Sequence, residues 1–334
     1  KSGYYYKETH FKQTADIDVS KYWWQPIGVF YLRDSDSYIR RYFLGNYDGN
    51  NYTISGLFAK SDSKIKQGLF GSVEGTSSCK AIIKNVGIIE SFIKGGNGQI
   101  GALIGMCKYT TIQNCYNLSG VEGKGQAIGG LVGVLGDYST LDSCYNNGNV
   151  VGTYMTGGLV GRNDSNSLIT NSFNKGEING GNATGGICGN SGKLDNYDIS
   201  NCYNLGKVSG TDSVGGIIGC RTYSGVSVYN CFNLGSIEFT KNYVGGIIGK
   251  NDSKQPCYNS YFGGDCVLDF GEGSSTAGSG TNKGTTKSST LVNDAKNLSW
   301  YNDSTKWHSS NPWDFENIWG INSNYNNGYP TFKH

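Results

Sequence analysis

The stretch VGGIIGCRTYSGVSVYNCFNLGSIEFTKNYVGGIIG, residues 214–249, begins and ends on the same six residues, thirty positions apart. Upstream the motif returns as TGGICG at 184–189, TGGLVG at 156–161, IGGLVG at 128–133 and IGALIG at 100–105. The steps along the chain are 28, 28, 28, 30 and 30 residues. A second motif follows each copy: NCYN at 114–117, SCYN at 143–146, NSFN at 171–174, NCYN at 201–204, NCFN at 230–233 and PCYN at 256–259. Two motifs kept in phase over six copies mean stacked units, each burying its apolar face only against its neighbours.

The residue types choose among repeat architectures. Segments are short, β-branched or aromatic, and separated by Gly, Asn and Ser, which is the pattern of strands and turns. No helix-length amphipathic stretch lies inside a unit, so helical repeats and leucine-rich repeats do not fit. A propeller blade needs about forty residues or more. The spacing therefore predicts an all-β chain, a right-handed parallel β-helix (β-solenoid) of ~28–30-residue repeats with N- and C-terminal caps. Each coil should hold two or three strands, and eight or nine coils at ~4.8 Å make a rod of about 40 Å.

Positions within the unit have physical readings. Paired glycines such as Gly129 with Gly130 and Gly215 with Gly216 allow a tight corner or close approach between coils. The apolar pair after them, and Ile112, Leu141, Ile169, Ile199 and Val228, fill the interior. Asn117, Asn146, Asn174, Asn204, Asn233 and Asn259 end the second motif in every copy and should stack as a hydrogen-bonded amide ladder. Cys115, Cys144, Cys202, Cys231 and Cys257, with Ser172 in the gap, form a column of small core residues, and Cys188 is core as well. Parity is awkward, because Cys115 and Tyr116 face opposite sides of a flat strand. A bend or bulge near the motif would resolve it.

The glycine–hydrophobic–glycine core resembles the GLUG motif of large bacterial surface and secreted proteins, including the non-catalytic repeat region of streptococcal immunoglobulin A-cleaving metalloproteases. ADIDVS at 15–20, WQPIG at 24–28, YDGNNYTISGLF at 47–58 and GLFGSV at 68–73 are similar to the leading segment of such modules. WDFENIWGINSNYNNGYPTF at 313–332 is similar to their closing segment. The resemblance implies a secreted or cell-surface bacterial protein, an adhesin or scaffold that displays another domain. The proteases' zinc signature HExxH is missing, and the histidines are only His10, His308 and His334.

Composition narrows function further. The formal net charge is +2 with Lys and Arg scattered singly, so neither a nucleic-acid stripe nor a polybasic membrane signal is present. No run of eighteen apolar residues exists, so direct membrane insertion is not expected. The chain opens at Lys1 as a mature or trimmed product does. Ten cysteines without a CxxC pair give no zinc ribbon. Acids inside the repeats (Asp142, Glu177, Asp198, Asp212, Glu238) occupy different slots, and Asp16 with Asp18 and Asp265 with Asp269 read as solvated turns. Neither a catalytic pair nor a metal site is expected, and no cofactor is called for.

Residues 1–60 read as an N-terminal cap and first coils, 61–262 as the solenoid body, 263–298 as a low-complexity loop and 299–334 as an aromatic C-terminal cap. Tyr22, Trp23 and Trp24, with Tyr4, Tyr5 and Tyr6, are candidates for stacking on sugar, with cap packing as the alternative. Three readings stay open: an adhesive or scaffolding module, a carbohydrate-binding module, and a β-helix enzyme acting on polysaccharide. The partner would be a host or environmental glycan or an extracellular protein. Like subunits stacked end to end would instead make a fibre.

Overall fold

The structure, a computed structural model, describes residues 9–28, 32–34, 37–39, 42–61, 66–191, 197–222, 226–252, 257–263, 285–288, 290–309 and 312–333. Tyr4, Tyr5, Tyr6, Asp265, Cys266, Asp269 and His334 lie outside the described residues. The chain is a parallel β-solenoid. One coil runs through Thr140–Asp142, Tyr145–Asn146, Val150–Val151, Thr156–Gly157 and Val160–Asn163, and each piece pairs in parallel with its counterpart in the coils on either side. Five parallel sheets result, of nine, ten, seven, six and seven strands among the described residues. The coil thus has five short strand positions where two or three were expected, because tight corners interrupt it.

One corner accounts for the parity problem. Asn85, Asn114, Ser143, Asn171, Asn201, Asn230 and Asn259 all have φ between +46° and +57°. Asn tolerates this left-handed conformation better than most side chains. The corner resets strand alternation, so Ile112 points inward, Cys115 and Asn117 also point inward, and Tyr116 faces out. The cysteines are therefore more than small hydrophobes. The Cys115 N–H donates to Cys144 Sγ (3.4 Å), and Cys144 N–H donates to Ser172 Oγ (3.1 Å). Each thiol or hydroxyl in turn donates to the carbonyl two residues earlier, as Cys144 does to Asp142 and Ser172 to Thr170. Burial holds the Cys144 and Cys202 thiols well above their ordinary pKa.

The last copy is displaced from its sequence reading. Cys257 pairs with Val228, and Phe262 pairs with Asn233. The coil therefore reads Asn259, Ser260, Tyr261, Phe262, three residues later than PCYN. Asn259 takes the left-handed corner, with φ of +46°, and Ser260 accepts from Cys231 N–H (3.2 Å) in place of a thiol. Asn259 is not a rung of the ladder and Cys257 is not in the cysteine column.

The glycine pairs are required by space. Between the fourth and fifth strands the chain folds back on itself, and a Cβ on Gly157 would stand 2.0 Å from Val160 O. The second glycine abuts the amide ladder: a Cβ on Gly158 would lie 2.5 Å from Asn174 Cγ, and one on Gly186 2.5 Å from Asn204 Cγ. Gly246, in the last coil, meets the Phe262 ring instead. The first copy carries Ala102 at this position.

Because the column works through hydrogen bonds, Cys144→Ser should fold with a melting temperature near that of the parent. Cys144→Val, of suitable size but without a polar atom, strands the Cys115 N–H and should cost about 1–3 kcal/mol. Denaturant unfolding of the two variants checks this, and equal stabilities would contradict it.

Candidate binding surfaces

The predicted ladder residues come together inside the rod from Asn117 to Asn233. Asn117 Nδ2 donates to Asn146 Oδ1 (2.8 Å), Asn146 to Asn174 (2.9 Å), Asn174 to Asn204 (2.8 Å) and Asn204 to Asn233 (2.8 Å). Each Nδ2 also donates to the carbonyl two residues on, as Asn146 does to Gly148 O (2.7 Å). These amides are fully buried and bound to one another, so they present nothing to a ligand.

Tyr22, Trp23 and Trp24 separate. They belong to a rudimentary first coil in which Trp23 bridges to Phe58 and Ile27 to Phe70. Tyr22 and Trp23 are 73% and 76% exposed and share a shallow hollow of about 200 Å³ with Phe58. Trp24 turns in against the core, its Nε1 donating to Gly68 O (3.1 Å). Asp16 lies against Thr53, whose backbone and side chain donate to its carboxyl and hold it below the usual range.

The outward residues of the second sheet form an aromatic column. Tyr116, Tyr145, Phe173, Tyr203 and Phe232 stack at centroid distances of 4.8–5.0 Å with planes within 6°. Residues expected to cap the rod's end lie along its side, over this column. Trp300 packs on Phe232 and Tyr261, Trp313 on Tyr203 and Phe232, Trp319 on Phe173 and Tyr203, and Phe332 on Tyr145 and Phe173. An aromatic pair adds about 0.5–1.5 kcal/mol beyond its buried area, which explains why the strap follows the column.

The strap begins within the stretch read as a loop. Thr285–Ser288 extends the second sheet beside Ser260–Gly263, and Leu291–Asp294 forms a single helical turn. Corner amides hold the strap's backbone. Asn201 donates to Pro312 O (3.3 Å), Asn259 to Lys306 O (2.9 Å), and Asn230 donates to His308 O (3.3 Å) while accepting from His308 N–H (2.6 Å). Tyr203, fully buried, donates to Pro330 O, and burial pushes its pKa well up. Tyr145, less deeply covered, is pushed up to about 12 by the same desolvation. Past the strap's end the groove is open. A cavity of about 610 Å³ lies between Asn51, Asn114 and Ser143 on one side and Tyr116 and Tyr145 on the other, closed at one end by Phe332 and Lys333.

A second cleft, of about 420 Å³, follows the mouth of the folded-back strand pair. One wall is the in-register column Arg162, Asn190, Cys220, Lys250; the other includes Ala183, Ser213 and Tyr243. Lower on the rod the same column carries Met106 and Val134. The charges are matched locally: Arg162 with Asp164 (2.9 Å) and Lys250 with Asp252 (2.9 Å), Lys250 also lying over the Tyr243 ring. The other repeat acids are scattered. Asp142 accepts from Asn171 (2.9 Å), Glu238 pairs with Lys207 (2.7 Å), and burial raises the Asp198 pKa. His10 lies beside Asn46 at the first coil, and His308 lies in the strap against Tyr229 and Tyr258. Among the described residues no three His, Cys, Asp or Glu side chains gather as a metal ion would need.

Neither groove could be located from sequence, because the charged cleft joins single residues of successive coils and the aromatic one joins repeat residues to a segment remote in the chain. The outward parity of Tyr116 was the available signal for the aromatic one.

Comparison with known proteins agrees with this architecture. The family model of the GLUG motif matches residues 124–151 and 152–179, two consecutive coils. A solved structure, that of a candidate immunoglobulin A1 protease from Bacteroides ovatus, matches with a TM-score of 0.58 at 22% identity. The match covers 100% of this chain and 87% of that one. The likeness is one of fold. No curated protein matches the sequence.

Trp319 is the most deeply buried ring of the strap. Trp319→Ala should cost about 3–5 kcal/mol and expose residues 300–333 to limited proteolysis, with the far-ultraviolet β signal of the solenoid retained. A strap that stays resistant to protease would show that its aromatic contacts are dispensable.

Proposed function

We propose that this chain is a non-catalytic module of a secreted or cell-surface bacterial protein, a rigid rod that serves adhesion, scaffolding or the display of another domain. The observation that carries this reading is the strap. A remote segment of the chain is held along the rod by repeat-spaced aromatic rings and corner amides, a rigid lateral surface of the kind that suits adhesion or display. The match of two of its coils to the GLUG motif supports this reading, since surface and secreted proteins are where that motif is expected.

The absence of catalysis is part of the proposal. Two observations support it: the basic side chains of the charged cleft are ion-paired to neighbouring carboxylates, and burial raises the pKa of the core thiols, which disfavours the nucleophilic thiolate. The protease name belongs to the Bacteroides protein, and a likeness of fold does not transfer an activity. Carbohydrate binding is the second reading, favoured by the open aromatic groove. Exposed Tyr22 and Trp23 at the first coil favour a contact with a partner protein or a like subunit.

The test is to incubate the purified chain with immunoglobulin A1 and with polysaccharides, and to pass it over glycan and extracellular-matrix surfaces. Expected are no cleavage above blank and saturable retention on at least one surface. Retention carried by the end of the rod should fall at least tenfold in Tyr22→Ala with Trp23→Ala. Cleavage that copurifies with the chain would overturn the non-catalytic reading, and concentration-dependent fibres without retention would replace adhesion with assembly.

A further inference from the structure

The groove that holds the strap is longer than the strap. Past Phe332, which packs on Tyr145, the aromatic column continues for one more coil, to Tyr116, and the left-handed corner for two, to Asn114 and Asn85. There the column ends in Tyr116, whose ring leans over Gly87; a Cβ at Gly87 would lie 2.2 Å from its Cζ. Glycine at this place lets the ring tilt, and the Tyr116 and Tyr145 rings lie parallel and offset, 5.0 Å apart. Among the described residues neither tyrosine hydroxyl has a hydrogen-bond partner. Facing them, Asn114 gives one Nδ2 hydrogen to Asn85 (3.2 Å) and keeps its carbonyl free, and Asn51 and Ser143 complete the wall. Among the described residues Lys333 is the one charged side chain of the lining, with the Asp16 carboxylate close enough to act on Tyr116.

We infer that this open half of the groove is a binding site for a neutral, extended β-linked oligosaccharide, with successive sugar units lying on Tyr116 and Tyr145 and their hydroxyls meeting the corner amides. This deepens the carbohydrate reading given above and is separate from the rod's role in display. Three features select the ligand. The volume, about 610 Å³, lies within the ~300–1,000 Å³ of small-molecule pockets. The lining pairs aromatic faces with neutral amides and hydroxyls, which suits a ring bearing C–H faces and a rim of hydroxyls. The spacing decides against a peptide. The two tyrosines stand one coil apart, 5.0 Å between rings, which is about the advance of one pyranose along an extended β-1,4-linked chain. An extended peptide advances ~3.3 Å per residue and falls out of step. The strap does not run along the column as one extended strand: it touches it at Trp300 in a helical turn, at Trp313, and at Trp319 and Phe332, which pair with each other antiparallel.

The experiment titrates the full chain with cellohexaose, with maltohexaose as the wrongly coiled control and with a synthetic peptide of residues 313–333 as the polypeptide arm. Calorimetry gives affinities, and tyrosine fluorescence gives an independent signal. Expected is saturable binding of cellohexaose, at least tenfold weaker binding of maltohexaose and none of the peptide. Asn114→Gly, which keeps the left-handed corner and removes the amide, and Tyr116→Leu should each weaken binding at least tenfold. Tyr116→Phe should retain most of it, and Trp23→Ala all of it. Melting curves of each variant separate a lost site from a lost fold. The inference is overturned if cellohexaose fails to bind, if it binds equally to folded Asn114→Gly and Tyr116→Leu, or if the peptide binds in its place. None of these outcomes touches the cleavage assay, so failure here leaves the non-catalytic rod standing.

Discussion

A carboxamide buried in an apolar tube must satisfy its donors and acceptor or cost the protein several kcal/mol, and this chain does so by stacking one amide per coil. Each rung from Asn117 to Asn204 gives one Nδ2 hydrogen to the next rung and the other to a carbonyl two residues ahead. Both hydrogens are used only if the amide plane runs along the rod, which fixes the coils in register. The bare face of the second glycine of each pair lies against that plane. The two motifs of the repeat are thus two halves of one contact, which is why they stay in phase while the loops between them vary in length.

From that contact the rest of the coil follows. The glycine pair sets the fold-back of the fourth and fifth strands, and the left-handed corner before the ladder turns the next side chain inward and the aromatic one after it outward. The thiol or hydroxyl between them takes up the backbone N–H that the corner removes from the sheet. Outside, the same geometry produces an aromatic column at the same pitch. The column is too apolar to stay bare, and the strap covers most of it as a second core separate from the interior one. At the top Phe262 replaces the amide and closes the ladder against Gly246. At the bottom Ala102 stands where later coils have glycine.

The period, the strand content and the inward stacking of asparagine were legible because they repeat, and repetition leaves a trace in a single sequence. What depended on direction was not. Whether Tyr116 faces in or out turns on φ at Asn114, and no composition rule sets the side of a strand on which a corner leaves the next residue. PCYN misled because its letters match the motif, whereas the register follows the corner at Asn259 and the hydroxyl of Ser260. The strap was read as an end cap since its tryptophans announce burial without saying against what. Trp23 and Trp24 are neighbours in sequence, yet only Trp24 reaches the core.

The claim that the amide ladder holds the coils in register is tested most directly by unfolding Asn174→Leu, an apolar replacement of similar size in mid-ladder, beside Asn233→Leu at its top, where the next coil already presents Phe262. A loss of about 3 kcal/mol is expected at residue 174, since Asn146, Asn204 and Gly176 lose partners together, and a comparable loss at residue 233, where Asn204 and both backbone groups of Gly235 lose theirs. Unchanged stability, or a gain, at either site would mean that any well-packed side chain serves and that the ladder follows from the fold without determining it.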